Sequence, residues 1–242
     1  MPQQHTTSLK LPFEFNEQKL VAELDLLSKS AWIPHFHKRG YSGEWNSIAL
    51  YALSGDETNI FALNNDESST IEETQIIKDC HYLREVIDTF KCPLRSVRLL
   101  RLGVGACIKP HRDFELGYEN SCFRMHIPIT TNRDVSFILD GETLDMKPGE
   151  CWYLNVNHVH SVSNNGKTDR VHLVIDGQRN DWSDDIFFSL ASKESLLETK
   201  DEEKRPDPEA IRSIIRELEK VRSPGAEQTI KTLRKQLTDL SV

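Results

Sequence analysis

The stretch SVRLLRLGVGACIKPHRD, residues 96–113, opens the part of the chain that decides the fold. From here to residue 176 the sequence consists of short segments rich in β-branched and aromatic residues, separated by turn residues. Asp140-Gly141 and Asn165-Gly166 are hairpin signals of the primed-turn type. Because no helical pattern interrupts the series, it predicts a closed or double-sheet β architecture. The segments predicted as strands are 97–104, 106–109, 123–129, 135–139, 150–154, 159–163 and 170–175.

Helical patterns flank this β region on both sides. Asn16 can cap a first helix, residues 72–90 carry a second apolar stripe, and residues 45–53 between them are strand-like. Near the C-terminus, apolar stripes at 211–218 and 230–240 predict a helical hairpin. We therefore divide the chain into an N-terminal support of the barrel (1–95), a β core (96–180) and a C-terminal helical extension (181–242).

The composition argues against several classes of partner. The 242 residues include 30 Lys and Arg against 38 Asp and Glu, a formal net charge of −8. Nucleic acids and anionic membranes need clustered positive charge, so neither is an expected partner. No apolar run is long enough to span a bilayer, and the N-terminus shows no signal-peptide pattern. Five cysteines without a C-x-x-C motif predict reduced thiols and a cytoplasmic protein.

Polar side chains occur on strand faces that a packed barrel would fill with apolar ones. Side chains two residues apart on a strand share a face. A charge on the inward face of a small barrel needs a partner or a metal. For any single strand, the polar side chains could instead lie on a face that is exposed to water. The polar residues that share faces in this way are His111 with Asp113, Arg124 with His126, His158 with His160, and Arg170 with His172.

The His111-x-Asp113 pair and the later His160 are candidate metal ligands. Two imidazoles and one carboxylate can occupy one face of an octahedral metal and leave three positions open, as in non-haem Fe(II) oxygenases. Arg170 lies on the next strand, where a guanidinium can bind a carboxylate through two hydrogen bonds. A 2-oxo-diacid could then bind the metal with one end and Arg170 with the other.

Several runs of this region together resemble the aspartyl/asparaginyl β-hydroxylase family, which includes bacterial free-proline cis-hydroxylases. The similarity covers roughly residues 96–176, with the motifs in the expected order, and a weaker likeness extends to residues 32–34 and 45–53. The runs that carry it are RLGVGACIKPHRD (101–113), RMHIPI (124–129), GECWYLN (149–155), HSV-x-N (160–164) and RVHLVID (170–176).

The resemblance implies a double-stranded β-helix, the jelly roll of the 2-oxoglutarate oxygenases. It also implies that His111, Asp113 and His160 hold Fe(II) and that Arg170 binds the distal carboxylate of 2-oxoglutarate. Arg124 and His126 match the Arg-x-His of the family that lines the co-substrate and substrate pocket. Because animal members that act on protein domains lack the metal-binding carboxylate, Asp113 makes the chain more similar to the bacterial small-molecule branch.

The function expected on these grounds is an Fe(II)/2-oxoglutarate-dependent hydroxylase of a free amino acid, proline or a related residue, with O2 consumed and succinate and CO2 released. Ascorbate is the expected reductant in an assay. Arg98, on the first strand of the core, is a candidate for binding the substrate carboxylate, with a solvent-facing strand end as the alternative. His35 and His37 could line the substrate mouth or lie in a surface loop.

Other functions stay open at this point. Within the same class, the substrate could be an Asp, Asn or Pro residue of a short peptide. The chain could instead be a jelly-roll binding module without turnover, or a cupin-type metal enzyme. The retention of all three candidate ligands together with Arg170 argues against both of these. The oligomeric state is undetermined, with a homodimer as one option, because the C-terminal hairpin could either cover the pocket or pair two subunits.

Overall fold

The structure is a computed structural model that describes residues 5–29, 32–61, 70–113, 115–198, 208–221 and 223–239. It contains two antiparallel sheets and six α-helices within these ranges. The strands are β1 Ser8–Glu14, β2 Ile33–Pro34, β3 Tyr41–Ser42, β4 Trp45–Leu53, β5 Ile71–Glu73, β6 Leu94–Leu102, β7 Cys107–His111, β8 Cys122–Thr130, β9 Val135–Leu139, β10 Glu142–Leu144, β11 Glu150–Leu154, β12 His160–Asn164 and β13 Arg170–Gln178. The helices are α1 Glu17–Leu26, α2 His81–Asp88, α3 Asp181–Leu190, α4 Lys193–Leu197, α5 Pro208–Leu218 and α6 Pro224–Asp239.

The two sheets form the predicted jelly roll. The major sheet has eight strands in the order β1-β11-β8-β13-β6-β4-β2, with β5 paired to β4. The minor sheet has five strands in the order β10-β9-β12-β7-β3. The fold is therefore mainly β, with a double-stranded β-helix at its centre and helices on both sides of it in sequence, as the sequence predicts.

The major sheet has two different faces, and this difference positions the site. Odd-numbered side chains of β6, β8 and β13 pack with helices α1, α2 and α3 in the largest apolar core. Even-numbered side chains point the other way, into the space between the sheets, because neighbours on a strand alternate. β8 and β13 are buried almost throughout on both faces. The polar side chains on their inner face are thus enclosed by protein.

The two hairpin signals have different outcomes. At Asp140-Gly141 both φ angles are positive, 50° and 87°, and Leu139 pairs directly with Glu142, as a two-residue primed turn requires. The same prediction is wrong for Asn165-Gly166, where neither φ is positive and the connection runs on to residue 169. Glycine is needed there for space, because a Cβ on Gly166 would lie 2.0 Å from the Asn132 side-chain oxygen.

The region before the core differs from the prediction in two places. The apolar stripe at 72–90 forms a helix only over His81–Asp88, because residues 71–73 pair with β4 instead. Residues 8–14, which the helical interpretation of the N-terminus did not include, form β1 at the edge of the major sheet. The first helix begins after Asn16 as predicted, with the Asn16 side chain accepting a hydrogen bond from the Lys19 N–H.

The predicted C-terminal hairpin is formed by α5 and α6 and packs on its own chain. Its apolar side chains, including Ile211, Leu218 and Leu233, join Ala49 of β4 and Phe61 in a separate apolar core. Because Ala49 pairs with Arg98 across the sheet, this core covers the same face that carries the polar side chains. Leu240, the last residue of the predicted stripe, lies outside the described residues. No described helix is long and apolar enough to cross a bilayer.

Candidate active site

Three side chains predicted as metal ligands converge at one end of the space between the sheets. His111 ends β7, His160 begins β12, and the two are paired across the minor sheet. Asp113 follows β7 and is held by a hydrogen bond from its N–H to the Val156 carbonyl, 2.9 Å long. One ligand atom from each of the three residues lies within 4.8 Å of the others. The geometry therefore fits a single metal ion held by two imidazoles and one carboxylate.

Hydrogen bonds to backbone carbonyls fix which nitrogen of each imidazole is available. His111 Nδ1 lies 2.8 Å from the Lys109 carbonyl, and His160 Nδ1 lies 3.1 Å from the His158 carbonyl. A carbonyl only accepts, so in the neutral form of each ring Nδ1 carries the proton and Nε2 keeps a lone pair. Burial lowers the pKa of His160 to about 4, so this ring is neutral at pH 7. Neutral rings with a free Nε2 are what metal coordination requires.

Asp113 is ionised because the Arg124 guanidinium lies beside it. Burial alone would raise the pKa of its carboxyl, but the charge and hydrogen bond of Arg124 outweigh this and hold the pKa well below its usual range. Arg124 Nη1 donates a hydrogen bond to Asp113 Oδ2. The other oxygen, Oδ1, faces His111 Nε2 at 3.7 Å. The carboxylate thus keeps one oxygen for a metal while the other is oriented by a guanidinium.

Arg124 and Arg98 are both bound to a buried carboxylate, Asp176. Asp176 Oδ1 accepts from Arg124 Nε at 2.7 Å, and Oδ2 accepts from Arg98 Nη2 at 2.8 Å and from the Ser96 hydroxyl at 2.7 Å. The two guanidiniums outweigh the effect of burial and lower the pKa of Asp176, so it carries a negative charge at 0% exposure. The sequence prediction did not include Asp176. Its position could have been predicted from the sequence, because the even-numbered residues from 170 to 176 share one face of β13.

Arg170 lies further along the same face of β13 and has no carboxylate partner among the described residues. Only 2% of Arg170 is exposed, and its Nη2 donates a 2.9 Å hydrogen bond to His172 Nδ1 while its Nε has no partner. Its guanidinium lies over the Phe137 ring, 5.7 Å from the centroid. Burial lowers the pKa of Arg170 to about 9, so it remains a cation at pH 7. A buried cation without a counter-charge is costly, which points to an anionic ligand.

A cavity of about 250 Å³ adjoins Arg170. Arg170, His172 and Phe137 line it together with residues from the turns around 131–135 and 144–148. Phe137 stacks near His160 at a centroid distance of 6.2 Å, so the aromatic ring stands between the cavity and the candidate ligands. The cavity therefore adjoins the Arg170 end of the interior, and the candidate ligands lie at the other end, beyond Phe137.

His126 and His172 complete the wall between these two ends. Their Nδ1 atoms are 3.3 Å apart, and His126 Nε2 is buried without a partner in the described structure. Burial, with the nearby Arg170, lowers the pKa of both rings well below its ordinary value, so both are neutral. His126 thus presents an unused polar atom to the interior.

The structure places the residues that the sequence singled out for the site in different groups beside the three candidate ligands. Arg98 and Arg124 face the metal ligands and share Asp176, whereas Arg170 and His126 lie further along the interior. His158, which shares a strand face with His160, instead pairs with Asp140 at 3.1 Å near the rim. The five cysteines are free of disulfide bonds, as predicted.

A jelly roll that brings two histidines and an aspartate to one point, with an unpaired guanidinium deeper inside, defines a 2-oxoglutarate-dependent oxygenase. More particularly, the chain belongs to the aspartyl/asparaginyl β-hydroxylase family, whose sequence model matches residues 14–180. The predicted family and the predicted fold are both confirmed.

Relatives of known activity are found among bacterial enzymes. L-Proline cis-4-hydroxylase of Rhizobium meliloti (strain 1021) is 24% identical over 204 residues, which cover 84% of this chain and 71% of the relative. L-Proline cis-3-hydroxylase 1 of Streptomyces sp is 29% identical over 171 residues, which cover 67% of this chain but only 57% of the relative.

Two solved structures match part of this chain at low sequence identity. An oxidoreductase of the 2OG-Fe(II) oxygenase family from Burkholderia pseudomallei has a TM-score of 0.48 at 14% identity, with 72% of this chain and 86% of that chain covered. A prolyl-4-hydroxylase from Pseudomonas putida has a TM-score of 0.46 at 11% identity, with 72% and 93% covered.

Proposed function

We propose that the protein is an Fe(II)/2-oxoglutarate-dependent hydroxylase of a free amino acid, with proline or a close analogue as substrate. The observation that carries the proposal is the pairing of a three-ligand centre with Arg170, a buried guanidinium that lacks a counter-charge among the described residues. The family membership and the names of the two proline hydroxylases support the same reaction.

In this proposal His111, Asp113 and His160 hold the iron. The donor set fits, because both imidazoles present Nε2 and the carboxylate keeps one oxygen free. When bound, Fe(II) with 2-oxoglutarate supplies the oxidising chemistry that hydroxylates a C–H bond and releases succinate and CO2. The backbone carbonyls that accept from the two Nδ1 atoms keep the rings oriented, and Arg124 orients the carboxylate.

Arg170 binds the distal carboxylate of 2-oxoglutarate. This pairing supplies the missing counter-charge and satisfies the Nε–H, which has no partner in the described structure. His172 Nδ1 accepts from Nη2 and so fixes the plane of the guanidinium. His126 lies between Arg170 and the metal ligands, where it contacts the body of the co-substrate.

The amino-acid substrate binds on the side of Arg98. Among the described residues, the guanidiniums of Arg98, Arg124 and Arg170 face two carboxylates, those of Asp113 and Asp176. A bound divalent metal adds to this positive surplus, so a dianionic co-substrate and a substrate with its own carboxylate are both favoured. A free amino acid always carries that carboxylate, whereas an internal residue of a peptide does not.

Substrate-stimulated turnover of 2-oxoglutarate tests the proposal. With Fe(II), ascorbate and O2, succinate release is measured for each of the twenty amino acids and for short proline-containing peptides. We expect a free amino acid, proline first, to raise the rate and to appear as a hydroxylated product by mass spectrometry. His111→Ala should abolish the reaction, and His81→Ala, at an exposed position of α2, should not change it. Stimulation by peptides alone, or by none of these compounds, would refute the proposed substrate class.

A further inference from the structure

One histidine near the candidate centre has no role in the function proposed above. His35 comes from the segment between β2 and β3, outside the predicted β core. Its ring stacks on Trp45 with centroids 3.5 Å apart and an angle of 12°, and on Phe36 with centroids 4.4 Å apart. The Trp45 ring in turn lies 6.4 Å from the ring of His111. His35 is thus part of an aromatic wall beside the metal ligands.

The hydrogen bonds of His35 leave one donor unused. Its Nδ1 accepts from the His37 backbone N–H at 3.3 Å, so the proton of the neutral ring is on Nε2. No described residue forms a hydrogen bond with that Nε2–H. Burial lowers the pKa of His35 well below its ordinary value, and the charged or titratable groups near enough to affect it are Asp113, Arg98, His37 and His111. The free donor therefore belongs to a neutral ring in the neighbourhood of the metal ligands.

Backbone hydrogen bonds and an apolar core hold the His35 segment in place. The His35 N–H donates to the Trp45 carbonyl at 2.8 Å, and the Tyr41 hydroxyl donates to the His35 carbonyl at 3.2 Å. Phe36 packs against Phe61, with ring centroids 5.1 Å apart, in the apolar core that the C-terminal hairpin completes. A side chain fixed in this way is pre-organised for binding, because little freedom is lost when a ligand arrives.

Arg98 faces the same region and also has an unused donor. Its Nη1 donates to the Ile60 carbonyl at 3.1 Å and its Nη2 to Asp176, while its buried Nε has no partner in the described structure. Ile60 is the neighbour of Phe61, so one apolar core fixes both Arg98 and the His35 segment. A carboxylate between the two would satisfy both free donors.

We propose that His35 is a substrate-binding residue, its Nε2–H donating to the carboxylate of the amino acid that Arg98 also binds, with Trp45 as an aromatic wall beside the substrate. This inference rests on the proposed function. It adds a residue outside the β core to the substrate pocket, and it gives the C-terminal hairpin a function, which is to hold that residue in place.

Two variants separate the donor from the ring contacts. His35→Phe keeps the stacking on Trp45 but removes the donor, and His35→Gln restores a donor without the ring. We expect His35→Phe to raise KM for the amino acid by about tenfold or more while KM for 2-oxoglutarate changes less than about twofold. We expect His35→Gln to recover part of the lost affinity, and His81→Phe, at an exposed site, to change neither constant.

The outcomes are distinguishable from failure of the proposed function. If the native protein shows no turnover that depends on an amino acid, the proposed function and this inference both fail. If the native protein is active and His35→Phe leaves the amino-acid KM unchanged, only the inference fails. A rise in KM for 2-oxoglutarate instead, or equal losses in the Phe and Gln variants, would mean that His35 does not act through a hydrogen bond to the amino acid.

Discussion

Replacing Arg170 should stabilise the protein without ligands while it destroys co-substrate binding. The fall in the pKa of Arg170 to about 9 corresponds to roughly 5 kcal/mol of unfavourable burial for the cation. The Phe137 ring and the hydrogen bond to His172 offset part of this cost. Arg170→Met removes the charge and keeps an apolar chain, so we expect a gain of about 1–2 kcal/mol in the free energy of unfolding.

The binding effect has the opposite sign. In the proposed function the guanidinium forms a charge-assisted pair with the distal carboxylate in a dry site. Its loss should cost about 3–5 kcal/mol, or roughly two to four orders of magnitude in KM for 2-oxoglutarate. The gain in stability corresponds to a rise of about 3–6 °C in the Tm of the metal-free protein. In the native protein, 2-oxoglutarate and a redox-inert divalent metal should raise Tm further, whereas in the variant the co-substrate should add nothing.

Thermal melts with and without ligands and steady-state kinetics measure both effects. Arg101→Met is the matched control, because Arg101 lies on the neighbouring strand, is partly exposed and has two ion pairs of 3.9 Å. It should neither raise Tm nor change KM for 2-oxoglutarate. A lower Tm for Arg170→Met together with an unchanged KM would mean that Arg170 has a purely structural function, and the reasoning from its missing counter-charge would be refuted.

Three further predictions concern the supporting groups. Asp176→Asn leaves two buried guanidiniums without their shared counter-charge, which should cost about 3–5 kcal/mol of stability in chemical denaturation. Metal affinity, measured by titration, should fall about 10–100-fold. Unchanged metal affinity would contradict the link between Asp176 and the metal site. Leu218→Ala, in the core of the hairpin, should cost about 2–4 kcal/mol and raise KM for the amino acid more than KM for 2-oxoglutarate, whereas Val221→Ala, at a 44% exposed site, should do neither. The pKa of His126 and of His172 is lowered in the folded state, so unfolding takes up protons below about pH 6.5. The stability of the metal-free protein should therefore fall as pH decreases from 7 to 5. A flat stability profile over that range would show that these rings are not buried in neutral form.

The sequence was sufficient for the core because its information there is local. Alternation along β8 and β13 assigns Arg124, His126, Arg170 and His172 to one face, and that face is the inner one. Asp140-Gly141 likewise specifies its turn through its own backbone preferences. Where a short motif determines its own conformation or its own face, the prediction agrees with the structure.

The remaining features depend on partners distant in the sequence. The start of the helix predicted over 72–90 instead forms a strand, because residues 71–73 pair with β4. His35 is stacked only because β4 brings Trp45 beside it, and no local pattern around residue 35 indicates this. Asp176 could have been found from its place on the inner face of β13, but its two guanidinium partners are defined only when three strands are adjacent.

The alternation along β13 limits how this part of the protein can change in length. Arg170, His172 and Asp176 all point inward from a single strand that is hydrogen-bonded on both sides. Inserting or deleting one residue within 171–175 would turn the side chains on one side of that point to the helix-covered face. The neighbouring helices can repack around point substitutions of the outward residues, but they cannot compensate for a one-residue insertion or deletion in the strand. We therefore expect differences in chain length among functional variants to accumulate in the turns and the C-terminal extension, and not in this strand.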